Sequence, residues 1–310
     1  MHTILGSNGI IGQELARALS SYSTSIRLVS RSPRKVNPTD ETFPADLLDA
    51  GAADRAVAGS KVVYLVAGLK YDYATWREQW PRLMQNVIDA CKRHGCRLVF
   101  LDNVYAYGRV NGVMTEQTPF HPTSKKGEVR AQIATMLLDE ISHGNLQAMI
   151  ARSADFYGPG AVNSIIYSTV FARLKEGKAP QWICNPNVVH TFTYTPDVGK
   201  ALALLGNSPE VYGQTWHLPT TKEPFSIADF VRLSCELANQ PYRLQVLPRW
   251  LRKLVGLFIP ALHENEEMMY QFEYDYRFDS SKIENAFGLQ PTTYREGIAA
   301  ILHTMTSNQG

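Results

Sequence analysis

Short apolar runs rich in β-branched and aromatic residues alternate with longer stretches of helical period through the first half of the chain. Runs at residues 3–5, 26–29, 62–66, 98–101 and 148–151 have the length and composition of buried strands. Between them, residues 10–19, 76–94 and 126–143 repeat their apolar positions at three and four, the spacing of one helix face. Gly144-Asn145 closes the last stretch as a helix C-cap. This order predicts a parallel sheet built through right-handed crossovers, and so a doubly wound α/β fold.

After about Tyr157 the rhythm loosens. Turn residues punctuate the chain at Gly158-Pro159-Gly160, Asn185-Pro186-Asn187 and Pro219, with helical patterns at 165–176, 227–239 and 298–305. The pattern predicts a Rossmann-like domain over residues 1–156, to which some later segments return, and a smaller mixed α/β substrate domain over 157–310. No internal repeat, low-complexity tract or flexible linker interrupts it.

Composition narrows the function. Hydrophobic residues make up 45% of the 310 and charged residues 19%, which describes a globular chain with a sizeable core. With 31 Lys+Arg against 29 Asp+Glu the formal charge is +2, too little to draw nucleic acid or an anionic bilayer by a general field. Any anion must be held locally. Cys91, Cys96, Cys184 and Cys235 lack paired spacing and partnering histidines, so neither a disulfide framework nor a zinc site is expected. The first residues lack a signal peptide's basic start and long apolar stretch, and no run approaches the roughly 20 residues that span a bilayer. The expectation is a cytoplasmic protein with a small-molecule partner and no metal.

The local anion site is legible. Gly6-Ser7-Asn8-Gly9-Ile10-Ile11-Gly12 follows the first strand and opens the first helix, where backbone N–H groups can receive a pyrophosphate. Gly6 permits the turn, Gly9 the approach of a phosphate, and Gly12 the packing of helix on sheet. The same triplet also suits a tight connection with no ligand. At the end of the second strand, where an acid would hold the ribose of NAD, the chain has Ser30-Arg31-Ser32-Pro33-Arg34-Lys35. Ser30 and Arg31 there suit a 2′-phosphate, which predicts NADP(H) over NAD(H); a solvated basic loop is the alternative. Ala45-Asp46-Leu47 lies where a third strand should end, so Asp46 either accepts from the adenine amino group or caps the helix starting near Asp49. Leu47, and Ala67 at the end of the fourth strand, complete the expected dinucleotide contacts.

The order of motifs resembles the extended short-chain dehydrogenase/reductase family, the NAD-dependent epimerase/dehydratase group. Besides the glycine turn, Asp102-Asn103-Val104-Tyr105-Ala106-Tyr107-Gly108 is similar to the family's Ser-Ser-x-x-Val-Tyr-Gly, and Thr115-Glu116-Gln117-Thr118-Pro119 to its Glu-x-x-Pro. The run from Arg152 through Tyr157-Gly158-Pro159-Gly160 resembles the signature that enters the substrate-binding part, and His190–Val198 a later Arg-x-Phe-x-x-Val-x-Asp-Val. The resemblance implies a Rossmann-like domain and a smaller domain enclosing a nucleotide-sugar or related substrate. It also implies hydride transfer at a hydroxyl or carbonyl carbon, and a homodimer through the helices at 76–94 and 126–143. Their apolar faces equally suit the core.

The family's Tyr-x-x-x-Lys is missing. In one register Lys126 takes the tyrosine's place and Arg130 the lysine's; in another His121 and Lys125 do. The first register puts two cations four apart on one helix face, with Lys126 as proton donor or acceptor and Arg130 as clamp on the cofactor ribose. A basic helix start without catalytic role fits the same residues. Asn103 stands for the catalytic Ser or Thr as a donor to the substrate oxygen, and Tyr105 is a replacement acid or an aromatic wall. The paired acids of the family's dehydratases are replaced by Val104 and Tyr105, which disfavours water elimination. These departures leave a second reading, a non-enzymatic NADP(H)-binding sensor. Toward the substrate end, Arg152, His190, His217 and Arg277 are candidate anion contacts, Asp279 is a candidate helix cap, and residues 250–262 form an amphipathic stretch suited to a packed helix, a lid or a membrane contact.

Overall fold

A computed structural model describes residues 1–247 and 266–307 of the chain. The amphipathic stretch at 250–262 lies outside the described residues.

Two compact units divide the chain, the first comprising 1–108, 120–153 and 196–218, the second 109–119, 154–195 and the described part of 219–310. The first unit is built on a seven-stranded sheet. Every expected strand is present: β1 (His2–Leu5), β2 (Ile26–Ser30), β3 (Glu41–Pro44), β4 (Val62–Leu65) and β5 (Arg97–Asp102). After the short β6 (Val113–Met114) of the second unit, β7 (Ala148–Arg152) returns to the sheet. Then follow β8 (Asp155–Tyr157), β9 (Gln181–Trp182), β10 (Phe192–Tyr194) and finally β11 (Thr215–His217), which forms the sheet's edge. The sheet order is β11-β7-β5-β4-β1-β2-β3, parallel throughout. Every residue of β1, β4 and β7 is buried, the polar His2, Thr3 and Arg152 included, the reason the remainder of these strands reads as apolar runs.

The order reverses direction at β1 and β4, which opens a crevice at their C-terminal ends, where open α/β sheets bind ligands. Helix α1 (Ile10–Leu19) starts at that crevice and buries Ile11, Gly12, Leu15, Ala16 and Leu19. Helix α2 (Ala50–Val57) is capped by Asp49, whose Oδ1 accepts the Ala52 N–H at 2.6 Å. Helix α3 (Tyr73–His94) begins at an Asp72 cap and ends at Gly95 in the left-handed region, φ 63°. Helix α4 (Lys125–Ser142) begins at a Ser124 cap. Trp76, Trp80 and Leu83 of α3 share one core with Val129, Ile133 and Leu137 of α4, so these apolar faces are covered within the chain.

In the second unit, β8 pairs with β10, and β6 pairs in parallel with residues 277–278. The Tyr157 ring lies 5.6 Å from both Phe230 and Tyr294. The helix Ile227–Leu237 starts with a full capping box between Ser226 and Asp229.

One core position makes stability depend on pH. His2 is buried, with Nδ1 3.2 Å from the Tyr64 hydroxyl. Burial first, then the N-terminal ammonium, Lys61 and Arg97, push its pKa from 6.5 down to about 4. The fold therefore holds His2 neutral while the unfolded chain takes up a proton near its ordinary value. The contribution is complete above about pH 6.5 and falls as pH drops toward about 4, by up to about 3 kcal/mol. Urea midpoints measured across this window are expected to decline more in wild type than in His2→Gln; identical declines would refute the assignment.

Candidate functional site

The glycine turn meets the fold at the crevice. Gly6 has φ +96°, and a Cβ there would lie 2.6 Å from the Ala67 amide nitrogen. A Cβ on Gly12 would lie 2.7 Å from Ser7 Cα. Both glycines are thus demanded by the chain's own packing. Gly9 differs, because a Cβ there would meet Gly6 O at 3.5 Å and no other atom within 4 Å. It caps α1 without a side-chain hydrogen bond, which leaves first-turn amides of Ile10 and Ile11 without a capping side chain. Beside it, Ser7 is 1% exposed and its hydroxyl has no hydrogen-bond partner. An orphaned buried hydroxyl, uncapped amides and space at Gly9 are the features a diphosphate would satisfy.

Asn8 ties this turn to the loop after β2, donating from Nδ2 to the Ser32 carbonyl at 2.8 Å. Between turn and loop lies a cleft of about 460 Å³ lined by Ser7, Asn8, Gln13, Arg17, Arg34 and Lys35 among others. Arg31 is exposed and outside this lining, and Ser30 Oγ accepts the Ser32 N–H at 3.2 Å. The cations facing the cleft are therefore Arg34 and Lys35, further along the loop, and Arg17 on α1. Asp46 Oδ1 accepts the Leu48 N–H at 3.0 Å, while the cap of α2 is Asp49. The Leu47 carbonyl accepts from Asn86 Nδ2 at 2.9 Å, and Leu47 itself is buried.

At the other side of the crevice, β5 ends on a buried carboxylate. Asp102 Oδ1 accepts from Arg130 Nε at 2.8 Å and from the Asn103 N–H at 2.8 Å, and Oδ2 accepts from Arg152 Nε at 3.2 Å. All three charged side chains are at most 4% exposed. The surplus positive charge rests on aromatic faces, Arg130 4.5 Å above Trp80 and Arg152 4.6 Å above Phe120. Arg152 also donates from Nη1 to the Tyr107 hydroxyl at 2.9 Å, which lies 2.9 Å from His217 Nε2. Arg152 and His217 are thus members of a buried network in the first unit.

Lys126 and Arg130 share the buried face of α4, whereas Lys125 and His121 are exposed. The Lys126 ammonium, at a residue 1% exposed, sits 5.0 Å from the Tyr71 ring centre. Tyr71 donates to the Tyr105 hydroxyl at 3.4 Å. Asn103 Oδ1 accepts the Tyr105 N–H at 3.0 Å, fixing the turn that carries both. Lys126, Tyr105 and Asn103 are therefore brought together near the end of β5, and Arg130 is directed to Asp102. Sequence reasoning missed Asp102 and Tyr71. Asp102 occupies the place of a serine in the resembled motif, which was a usable signal; Tyr71 lies 34 residues from Tyr105 in an irregular segment and carried none.

Of the remaining candidates, His190 is buried in the second unit with Nε2 3.0 Å from Asp155 Oδ2 and Nδ1 3.1 Å from the Gln271 carbonyl. Arg277 is exposed on Asp275, and Asp279 accepts the Ser281 N–H at 3.3 Å. Among the described residues no helix is long and apolar enough to cross a membrane, and no cluster of His, Cys, Asp or Glu is placed to hold a metal ion.

The profile of the NAD dependent epimerase/dehydratase family matches residues 2–217. Among curated proteins none matches the chain. Solved structures share the fold. MoeE5 in complex with UDP-glucose and NAD is 20% identical with a TM-score of 0.80, over 100% of this chain and 99% of that one. DesIV, a dTDP-glucose 4,6-dehydratase from Streptomyces venezuelae with NAD and TYD bound, is 17% identical with a TM-score of 0.79, over 100% and 98%. A Thermus thermophilus UDP-glucose 4-epimerase in complex with NAD is 19% identical with a TM-score of 0.77, over 99% of each chain.

Proposed function

The chain belongs to the NAD dependent epimerase/dehydratase family, and we propose that it transfers hydride reversibly at a hydroxyl or carbonyl carbon of a nucleotide-sugar or related small molecule, preferring NADP(H) to NAD(H). The observation that carries the reading is the contrast within the glycine turn, where packing demands Gly6 and Gly12 but leaves Gly9 open beside the orphaned Ser7 hydroxyl. The UDP-glucose and NAD held by MoeE5, a protein of similar fold, support the substrate class.

When bound, the nicotinamide dinucleotide supplies or accepts the hydride. The chain's own residues do the rest. Amides of the Gly6–Gly12 turn and the Ser7 hydroxyl hold the diphosphate, Asp46 and Leu47 border the adenine, and Ala67 borders the dinucleotide at the end of β4. Asn103 and Tyr105 meet the substrate oxygen, and the Lys126 charge stabilises a developing alkoxide. Arg130 acts through Asp102 as a positioning residue for the Asn103 turn, a role that replaces the ribose clamp. Val104 is buried and apolar, so the paired acids of water elimination have no counterpart here.

The preference for NADP(H) follows from charge. Arg17, Arg34 and Lys35 line the cleft beside Ser7 and Asn8, where a 2′-phosphate would find several donors. Fluorescence titration is expected to show wild type binding NADPH more tightly than NADH. Replacing both Arg34 and Lys35 by Ala should weaken NADPH about 10–100-fold, the value of one or two charge-assisted hydrogen bonds, and leave NADH within about twofold. Equal affinities, unchanged by the double substitution, would remove the preference. Single-turnover oxidation of bound NADPH against a panel of carbonyl compounds tests the reaction itself. Binding without oxidation across the panel would favour the sensor reading, which draws on Lys126 standing where a tyrosine is expected.

A further inference from the structure

The position that the resemblance assigns to the family's tyrosine holds Lys126, yet a phenol stands beside that ammonium, supplied by another element. Tyr71 lies between β4 and α3, its ring centre 5.0 Å from Lys126 Nζ and its hydroxyl 3.4 Å from that of Tyr105. Both rings rest on one indole. Trp76 meets Tyr71 edge-on at 5.3 Å and stacks on Tyr105 at 6.2 Å with an 18° interplanar angle. Asp72, which accepts from the Thr75 N–H at 2.9 Å, anchors the chain immediately after Tyr71. Backbone and side-chain hydrogen bonds from Thr75 hold the Asp72 carboxyl below its ordinary pKa.

We propose that Tyr71 is the proton-relay partner of Tyr105, and that the two hydroxyls with Lys126 perform the acid–base work that one helix tyrosine performs in the enzymes this chain resembles. The proposal rests on the dinucleotide reading above. In the direction of reduction, a bound reduced nicotinamide would supply the hydride and its electron pair to the substrate carbonyl carbon and would itself be oxidised. The carbonyl oxygen takes the Tyr105 proton, Tyr71 passes its proton to Tyr105, and water returns one to Tyr71. The 38% exposure of Tyr71 lets solvent reach it. Oxidation runs the same steps backwards. Lys126 passes no proton in these steps; buried and poorly screened, it favours the transient phenolate by Coulomb attraction.

Groups beside Tyr71 that bear on its ionisation include Lys126 on α4, Tyr105 after β5, and the Lys70–Asp72 ion pair at 3.4 Å on its own segment. Next along the chain, Tyr73 faces Lys125 at 5.4 Å and Arg77 at 5.7 Å. Magnetic resonance titration of ring-labelled tyrosine in the dinucleotide-free protein reads the pair directly. Wild type is expected to show one phenol ionising at least about one pH unit below the ordinary value of about 10, as a hydrogen-bonded pair beside a cation should. Tyr71→Phe and Tyr105→Phe should each return the surviving partner toward the ordinary value, and Lys126→Met should raise the midpoint by about one unit, with NADPH affinity within about twofold throughout. A dinucleotide-binding wild type with ordinary phenols, or a Tyr105 midpoint indifferent to Tyr71→Phe, overturns the relay alone. A wild type that binds no dinucleotide overturns the underlying reading, whatever the titration shows.

Discussion

Replacing Asp102 by Asn is expected to destabilise the fold by about 3–5 kcal/mol, the usual cost of removing one partner from a buried ion pair. The cause is what remains. Arg130 and Arg152 both direct Nε to this carboxylate, and both are at most 4% exposed. An amide of the same shape cancels neither charge and turns a donor toward a guanidinium. Against a total stability of roughly 5–15 kcal/mol, the loss should be plain in a urea unfolding midpoint. Salt should change it little, since the groups are out of reach of screening ions. Whichever way the amide turns, one of the two acceptor oxygens becomes a donor, so either Arg152 or the Arg130 and Asn103 N–H pair loses its acceptor, and single-turnover rates should fall if the amide nitrogen faces Asn103. Asp102→Leu combined with Arg130→Met should lose less than the sum of the two single changes, because replacing a buried pair by apolar groups is often neutral. A cost below about 1 kcal/mol for Asp102→Asn would mean that water reaches the network and that it does not organise the end of β5.

Gly6→Ala and Gly9→Ala should separate two meanings of a glycine. At Gly6 the methyl group meets backbone atoms of Ala67, and φ of +96° is strained for any L side chain. The left-handed conformation alone costs about 1–2 kcal/mol. Backbone cannot swing aside as a long side chain can, so the turn must move and dinucleotide affinity should drop at least about 100-fold, equivalent to about 2.7 kcal/mol. At Gly9 the new methyl group meets only Gly6 O, at an ordinary 3.5 Å. Folding should lose less than about 1 kcal/mol, the difference between glycine and alanine at a helix N-cap. Affinity should nevertheless fall about 10–100-fold, because the methyl group occupies the space of the diphosphate. Calorimetric binding and denaturation curves on the same samples make the comparison. Gly9→Ala binding like wild type would contradict a diphosphate at this turn.

Both substitutions probe features of different visibility. The glycine turn was legible because its demands are local, a strand end followed at once by a helix start. The five strand runs were legible for a related reason: a parallel strand covered on both faces carries apolar side chains in succession, a property of a few neighbouring residues. The edge strand β11, Thr215–His217, left no such signature, since three residues are too few to show a period. The basic loop was legible as basic, but a run of Arg and Lys without periodicity does not say which cation faces inward. The fold turned Arg34 and Lys35 to the cleft and left Arg31 outside its lining.

The helix spacing of Lys126 and Arg130 put two cations on one face. Tertiary structure separated their fates, giving Lys126 the Tyr71 ring and Arg130 the Asp102 carboxylate with the Trp80 face. By itself, then, the sequence determined the sheet-forming runs, the helices between them and the glycine turn that joins the first strand to the first helix, because short-range sterics and burial periodicity are written in adjacent residues. Only the tertiary structure decided which phenol meets the buried ammonium and which acid holds the buried guanidiniums. Those partners sit 28 to 50 residues apart for Asp102, and strand order together with helix rotation brings them within hydrogen-bond reach.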